Sequence, residues 1–71
     1  MERQKITSTG IRSVGYERGR QLLEIEYAGG GVYDYFGVPA SVYHGLMNSS
    51  SRGRYVNLHI KPRYQYRRRP A

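Results

Sequence analysis

The sequence predicts an α+β fold: a three-stranded antiparallel β-meander, one main helix over residues 39–48, a short final helix or strand, and a basic C-terminal tail. Three observations carry that expectation. Short β-rich runs punctuated by glycine fill the first half of the chain, apolar residues recur at four-residue spacing in one later stretch, and the charge surplus lies wholly beyond residue 50. A chain of 71 residues holds one domain, with so much surface for its volume that a single core is marginal.

Residues 1–9 are polar and are expected to form a flexible N-terminus, with the folded domain over 10–64 and a disordered basic tail over 65–71. IRSVGY, residues 11–16, is strand-like, with Ile11 and Val14 as its apolar anchors. ERGR after it reads as a turn in which Gly19 can take positive φ. LLEIEY, 22–27, alternates most cleanly: Leu23, Ile25 and Tyr27 share one face, and Leu22, Glu24 and Glu26 the other. The glycines of AGGG then join it to VYDYF, 32–36, as a β-hairpin. Its register is open. A two-residue turn at Gly29-Gly30 places Tyr33 and Tyr35 beside the glutamates, whereas a three-residue turn brings both rings to the face of Ile25.

GVPASVYHGLMNSSS supplies the helix. Pro39 suits its first turn, and Val42 with Leu46 and Tyr43 with Met47 form an apolar stripe. Gly45 weakens it, and the polar run from Asn48 to Ser51 ends it. RYVNLHI, 54–60, fits two descriptions. Val56, Leu58 and Ile60 alternate as in a strand, while Val56 and Ile60 alone fit one helical turn; Pro62 stops either element at Lys61.

Charge is distributed unevenly. Residues 1–50 carry five basic and five acidic groups, whereas residues 51–71 carry Arg52, Arg54, Lys61, Arg63, Arg67, Arg68 and Arg69 with no acid, so the net +7 belongs to the back end. Such a one-sided segment is the electrostatic footprint of a phosphate-rich partner; a solubilising tail is the competing explanation. Six of the seven are arginine, whose planar fork suits phosphate and stacks on bases. The eight tyrosines also have two uses. Large apolar residues are too few to fill a core, so several tyrosines must pack inside, Tyr27 and Tyr43 first. Tyr55, Tyr64 and Tyr66 lie among arginines, as in surfaces that stack unpaired bases, although Tyr55 and Tyr64 could instead pack the last element onto the sheet.

Other chemistry finds little support. There is no cysteine, so neither a disulfide nor a thiolate metal site can form. His44 and His59 lack further ligands in sequence reach, and no metal or cofactor is expected. The serines cluster in a helix-ending loop that capping explains, which leaves no nucleophile–base constellation and predicts a non-catalytic protein. The glycine run 29–31 lacks the lysine and following helix of a phosphate loop. No apolar run reaches the roughly 18 residues of a membrane span, no basic amphipathic helix suits a lipid surface, and MERQKITSTG is no signal peptide. A soluble cytoplasmic monomer is expected.

Taken together, IRSVGY, LEIEY, GGxVYDYFGVPASVYHGL and SSSRGRYVNLHI with Tyr64 resemble the KTSC domain, a small bacterial and phage module named after the C-terminus of some lysyl-tRNA synthetases. The resemblance spans residues 8–64. It centres on Tyr33-Asp34-Tyr35, Val38-Pro39 and Val42-Tyr43, followed by the run from Ser51 to Ile60. Val56 departs from it, standing where the family usually has phenylalanine. The resemblance implies RNA binding, through the link to a tRNA enzyme, and no catalytic activity.

The expected function is therefore nucleic-acid binding, RNA before DNA, with a protein-interaction adaptor as the alternative and no membrane partner. The expected site is Ser51, Arg52, Arg54 and Tyr55 in the loop, Lys61, Arg63, Tyr64, Tyr66, Arg67 and Arg68 beyond it, and Tyr33 and Tyr35 on the hairpin.

Overall fold

The β-rich runs of the first half form one antiparallel sheet whose strands lie side by side in chain order. These are β1 (Gln4–Lys5), β2 (Ile11–Glu17), β3 (Leu22–Tyr27), β4 (Val32–Tyr35) and, after the helices, β5 (Tyr66–Arg68). The computed structural model of the chain describes residues 3–5 and 10–70. The expected three-stranded meander is β2–β4; the sheet gains a strand at each edge. Both additions correct the expectation of flexible ends. Gln4 and Lys5 pair with Val14 and Ser13, although the rest of the predicted flexible N-terminus, residues 1–2 and 6–9, lies outside the described residues. The tail over 65–70 is not disordered either. An exposed β4 edge offers unpaired backbone groups, and Tyr66, Arg67 and Arg68 take them in register with Tyr35, Asp34 and Tyr33.

The hairpin uses the three-residue turn. The Gly30 N–H donates to Tyr27 O at 3.0 Å and the Tyr27 N–H to Gly31 O at 3.1 Å, closing a loop over residues 28–30. Gly30 and Gly31 both take positive φ (98° and 96°), which only glycine adopts without strain. Ile25 therefore pairs with Tyr33 and Leu23 with Tyr35, and both tyrosines face inward. At the other turn, the left-handed residue is Gln21 (φ 50°) rather than Gly19. In β2 a bulge between Ile11 and Ser13 shifts the register, which explains how Ile11 and Val14, three apart, both reach the core.

Helix α1 (Ala40–Asn48) begins one residue later than expected, because Pro39 is extended (ψ 154°) and acts as the cap, its carbonyl accepting from the Val42 and Tyr43 N–H groups. The ambiguous segment is helical. Helix α2 (Arg52–Tyr55) continues as a π-helical turn, Val56–Ile60, whose closing bond runs from the Lys61 N–H to Val56 O at 2.9 Å. Val56 and Ile60 are buried while Leu58 is 53% exposed, so the four-residue spacing decides the segment and the alternation was incidental.

The helices cover the sheet face that carries Val14, Leu23, Ile25 and Tyr35, and with Ile11, Val38, Leu46, Val56 and Ile60 these residues form the core. Tyr16, Tyr27, Tyr33, Tyr43, Tyr55 and Tyr64 pack around it. Tyrosine thus supplies the volume that the few aliphatic residues cannot. Tyr16 stacks on Tyr43 with centroids 4.6 Å apart and donates to Val38 O at 2.6 Å, tying β2 to the start of α1.

Gly45 has a packing role that its poor helix propensity conceals. A Cβ there would collide with the Tyr55 hydroxyl and stand 2.9 Å from that ring's Cζ. Gly45→Ala is therefore expected to lower stability in urea unfolding by roughly 1–3 kcal/mol, despite alanine's better propensity, because the ring must move. Tyr55→Phe in that background should recover part of the loss; a more stable Gly45→Ala protein would contradict this packing.

Candidate functional site

The inward register creates a basin at the hairpin end of the sheet, on the helical side. Its cavity of about 410 Å³ is lined by Tyr27, Gly30, Tyr33, Tyr35, Lys61 and Tyr66. Tyr27 comes from β3, Tyr33 and Tyr35 from β4, Tyr66 from β5, and Lys61 from the end of the π-helical turn. Strand alternation puts Tyr66 and Arg68 on the same face as Tyr35 and Tyr33, their cross-strand partners.

No ring in this basin covers another. Tyr27 meets Tyr33 edge-on (5.3 Å, 80°), and Tyr66 is tilted against Tyr33 (5.7 Å, 52°) and Tyr35 (5.6 Å, 40°). The Tyr16–Tyr43 stack differs, with ring planes only 8° apart. Cations stand at the rim: Lys61 Nζ lies 5.3 Å from the Tyr27 centroid and the Arg68 guanidinium 5.9 Å from that of Tyr33. Gly31 makes room for Arg68, since a Cβ there would lie 3.1 Å from its Nε. An exposed ring such as Tyr66, with positive charge beside it, can hold a planar ring and its attached anion.

The Tyr27 and Tyr35 hydroxyls are 2.7 Å apart. Burial pushes both phenols above the ordinary value of 10.0, Tyr27 the further, because the bond between them adds to the effect at Tyr27 and offsets it at Tyr35.

The opposite face of the sheet holds a charge network. Glu24 and Asp34 are cross-strand neighbours, only 4% and 7% exposed. Arg69 bridges them, with Nη2 2.7 Å from Glu24 Oε2 and Nε donating to Asp34 Oδ2 at 2.9 Å. Arg3 Nε reaches Glu24 Oε1 at 2.9 Å, and Ser13 donates to Glu26 at 2.9 Å. Like charges directly across a strand pair are unfavourable, so the cations here have a structural task. The Asp34 bond also holds Arg69 more firmly protonated.

The twelve expected site residues accordingly separate. Tyr33, Tyr35, Lys61, Tyr66 and Arg68 meet at the basin. Arg52 does not join an anion loop: its Nη2 donates to Met47 O at 3.0 Å, satisfying a carbonyl of the α1 C-terminus. Ser51 precedes α2 and its N–H donates to Ser49 Oγ, while Tyr55 packs on Gly45 and against His59, and Tyr64 on the core. Arg54 is exposed on α2 and Arg63 in the turn after the π-helical segment, and Arg67 lies opposite Asp34 on the other face. Sequence reasoning placed Tyr27 in the core and missed it as a basin wall; the glycine turn that sets the register was the available signal. Among the described residues, no group of three or more His, Asp or Glu could hold a metal ion, and no helix is long and apolar enough to cross a membrane.

The sequence profile of the KTSC domain matches residues 7–64. The chain belongs to the KTSC domain family. This KTSC domain is 39% identical over 67 residues to a protein of Stutzerimonas stutzeri, covering 93% of this chain and 94% of that one. It is 41% identical over 56 residues to a lysine–tRNA ligase of Nostoc punctiforme, covering 79% of this chain but 10% of the ligase. The crystal structure of a KTSC domain protein from Yersinia pestis superposes with a TM-score of 0.94 at 33% identity, covering 97% of each chain.

Raised tyrosine ionisation links the basin to stability. A phenol whose folded value exceeds its unfolded value stabilises the fold fully below about pH 10 and loses that contribution as pH rises through the folded value. Alkaline titration followed by phenolate absorbance should show Tyr27 and Tyr35 ionising last, with unfolding. Tyr35→Phe should leave one late phenol fewer; two normal phenols in the folded protein would refute the pair.

Proposed function

We propose that this KTSC domain is a non-catalytic module that binds single-stranded nucleic acid, RNA in preference to DNA, with one unpaired base entering the tyrosine basin and adjoining phosphates meeting Lys61 and Arg68. The observation that carries this reading is the exposed Tyr66 ring, set at a tilt among the basin tyrosines with the cations Lys61 and Arg68 beside them. Stacking tolerates any base, and phosphate contacts give affinity with little sequence preference. A cationic ligand fits less well, because the Lys61 and Arg68 charges beside the rings would repel it. The kinship with part of a lysine–tRNA ligase agrees with an RNA partner.

Affinity for a short single-stranded RNA, followed by tyrosine fluorescence across a salt series, tests the proposal. Were Lys61, Arg63 and Arg68 to hold phosphates, log K would fall against log salt with a slope near about −2. Tyr66→Ala, at a ring 57% exposed, is expected to weaken binding by roughly 1–3 kcal/mol with little change in thermal stability. Arg68→Ala should flatten the slope by about 0.7. No binding at low salt, or binding indifferent to both changes, would remove the basin from the interface and favour a protein adaptor.

A further inference from the structure

Strand β5 supplies Tyr66 and Arg68, yet little of it is anchored by burial. It has three residues, all exposed, and a strand that short at a sheet edge is marginal alone. Its ladder is bounded by the Phe36 N–H donating to Gln65 O at 2.9 Å and the Arg69 N–H donating to Val32 O at 2.7 Å. The segment that matches the family profile ends at residue 64, before this strand begins. Besides the tilted contacts of Tyr66 with Tyr33 and Tyr35, a second tie lies on the other face of the sheet, the Arg69 bridge to Glu24 and Asp34.

We infer that Arg69 is a positioning residue for the basin: its guanidinium is held by the carboxylates of β3 and β4, and that clamp docks β5 so that Tyr66 and Arg68 face the ligand. Successive strand residues point to opposite faces, so drawing the Arg69 side chain to the carboxylate face favours Arg68 on the basin side. The clamp needs a fork. Its two contacts use different nitrogens of one planar group, Nη2 to Glu24 and Nε to Asp34, which a lysine cannot reproduce. The carboxylates need it equally, since they oppose each other across the strand pair. The most basic stretch of the chain, Arg67–Arg69, thus divides its work, with Arg68 toward the basin and Arg69 bound within the protein.

The inference rests on the basin being the nucleic-acid site, and it makes predictions opposite in sign to simple electrostatics. Were Arg69 a phosphate contact, Arg69→Lys would bind nearly as well as wild type, and the double variant Glu24→Gln/Asp34→Asn, which removes two negative charges, would bind a polyanion more tightly. With a clamp, both variants bind a short oligouridylate more weakly. The expected loss is roughly fivefold or more, the lower end of one base–aromatic stack.

Hydrogen exchange supplies a ligand-free readout. In both variants the Phe36 and Arg69 amides should exchange faster while the β2–β3 ladder around Val14 and Ile25 stays protected. Tighter binding by the double variant, unchanged protection of β5, or loss of protection throughout the sheet would each overturn the inference. Failure of the wild-type protein to bind the oligonucleotide would instead overturn the functional reading, while the exchange data would still decide whether the clamp holds β5.

Discussion

The register of the β3–β4 hairpin is the constraint on which the rest depends. Side chains alternate along a strand, so one residue of slip would exchange the two faces of β4. The three-residue turn puts Tyr33 and Tyr35 beside Ile25 and Leu23, and by the same step puts Asp34 beside Glu24. The alternative would turn Asp34 toward the aliphatic core, where an unpaired carboxylate is very costly. Basin and carboxylate pair are therefore two consequences of one loop. That loop depends on glycine at Gly30 and Gly31, where φ is strongly positive.

Much of the scaffold was legible in the sequence, because it rests on local periodicity. The alternation of LLEIEY gave β3, and the spacing of Val42, Tyr43, Leu46 and Met47 gave α1 within one residue. The segment from Val56 to Ile60 was ambiguous because a five-residue stretch satisfies both periods; the exposure of Leu58 resolves it as helix. The edge strands were not legible. Gln4–Lys5 and Tyr66–Arg68 carry no apolar alternation to read, and they join the sheet by pairing with β2 and β4. At the candidate site, tyrosines and back-end cations were readable as residue types. Which of them converge was not, since that depends on the hairpin register and on where β5 docks.

Charge density alone overstated the cationic surface. Arg52 turns back to a helix carbonyl and Arg69 to a pair of carboxylates, so two of the seven back-end cations are held by oxygen acceptors within the fold. The structure also uses the N-terminal side of the chain: Arg3 meets the other oxygen of the same Glu24 that Arg69 holds. One central-strand carboxylate thereby ties both edges of the sheet to its middle. Glu24, buried and flanked by two arginines, is a structural tie: both of its oxygens already accept from cations.

Tyrosine answers two needs in this chain, and the orientation of neighbouring rings separates them. Where rings lie face to face, as Tyr16 and Tyr43 do, the π-surface is satisfied within the protein and the residue acts as core. In the basin the contacts are edge-on or tilted, the Tyr66 ring is exposed, and the nearest charges are positive. Phenylalanine in their place would fill similar volume but would leave no hydroxyl pair between Tyr27 and Tyr35 to fix the depth of the wall. A small domain short of aliphatic residues can thus build its core and a stacking surface from one residue type, provided the sheet register directs some rings toward each other and others toward an open rim.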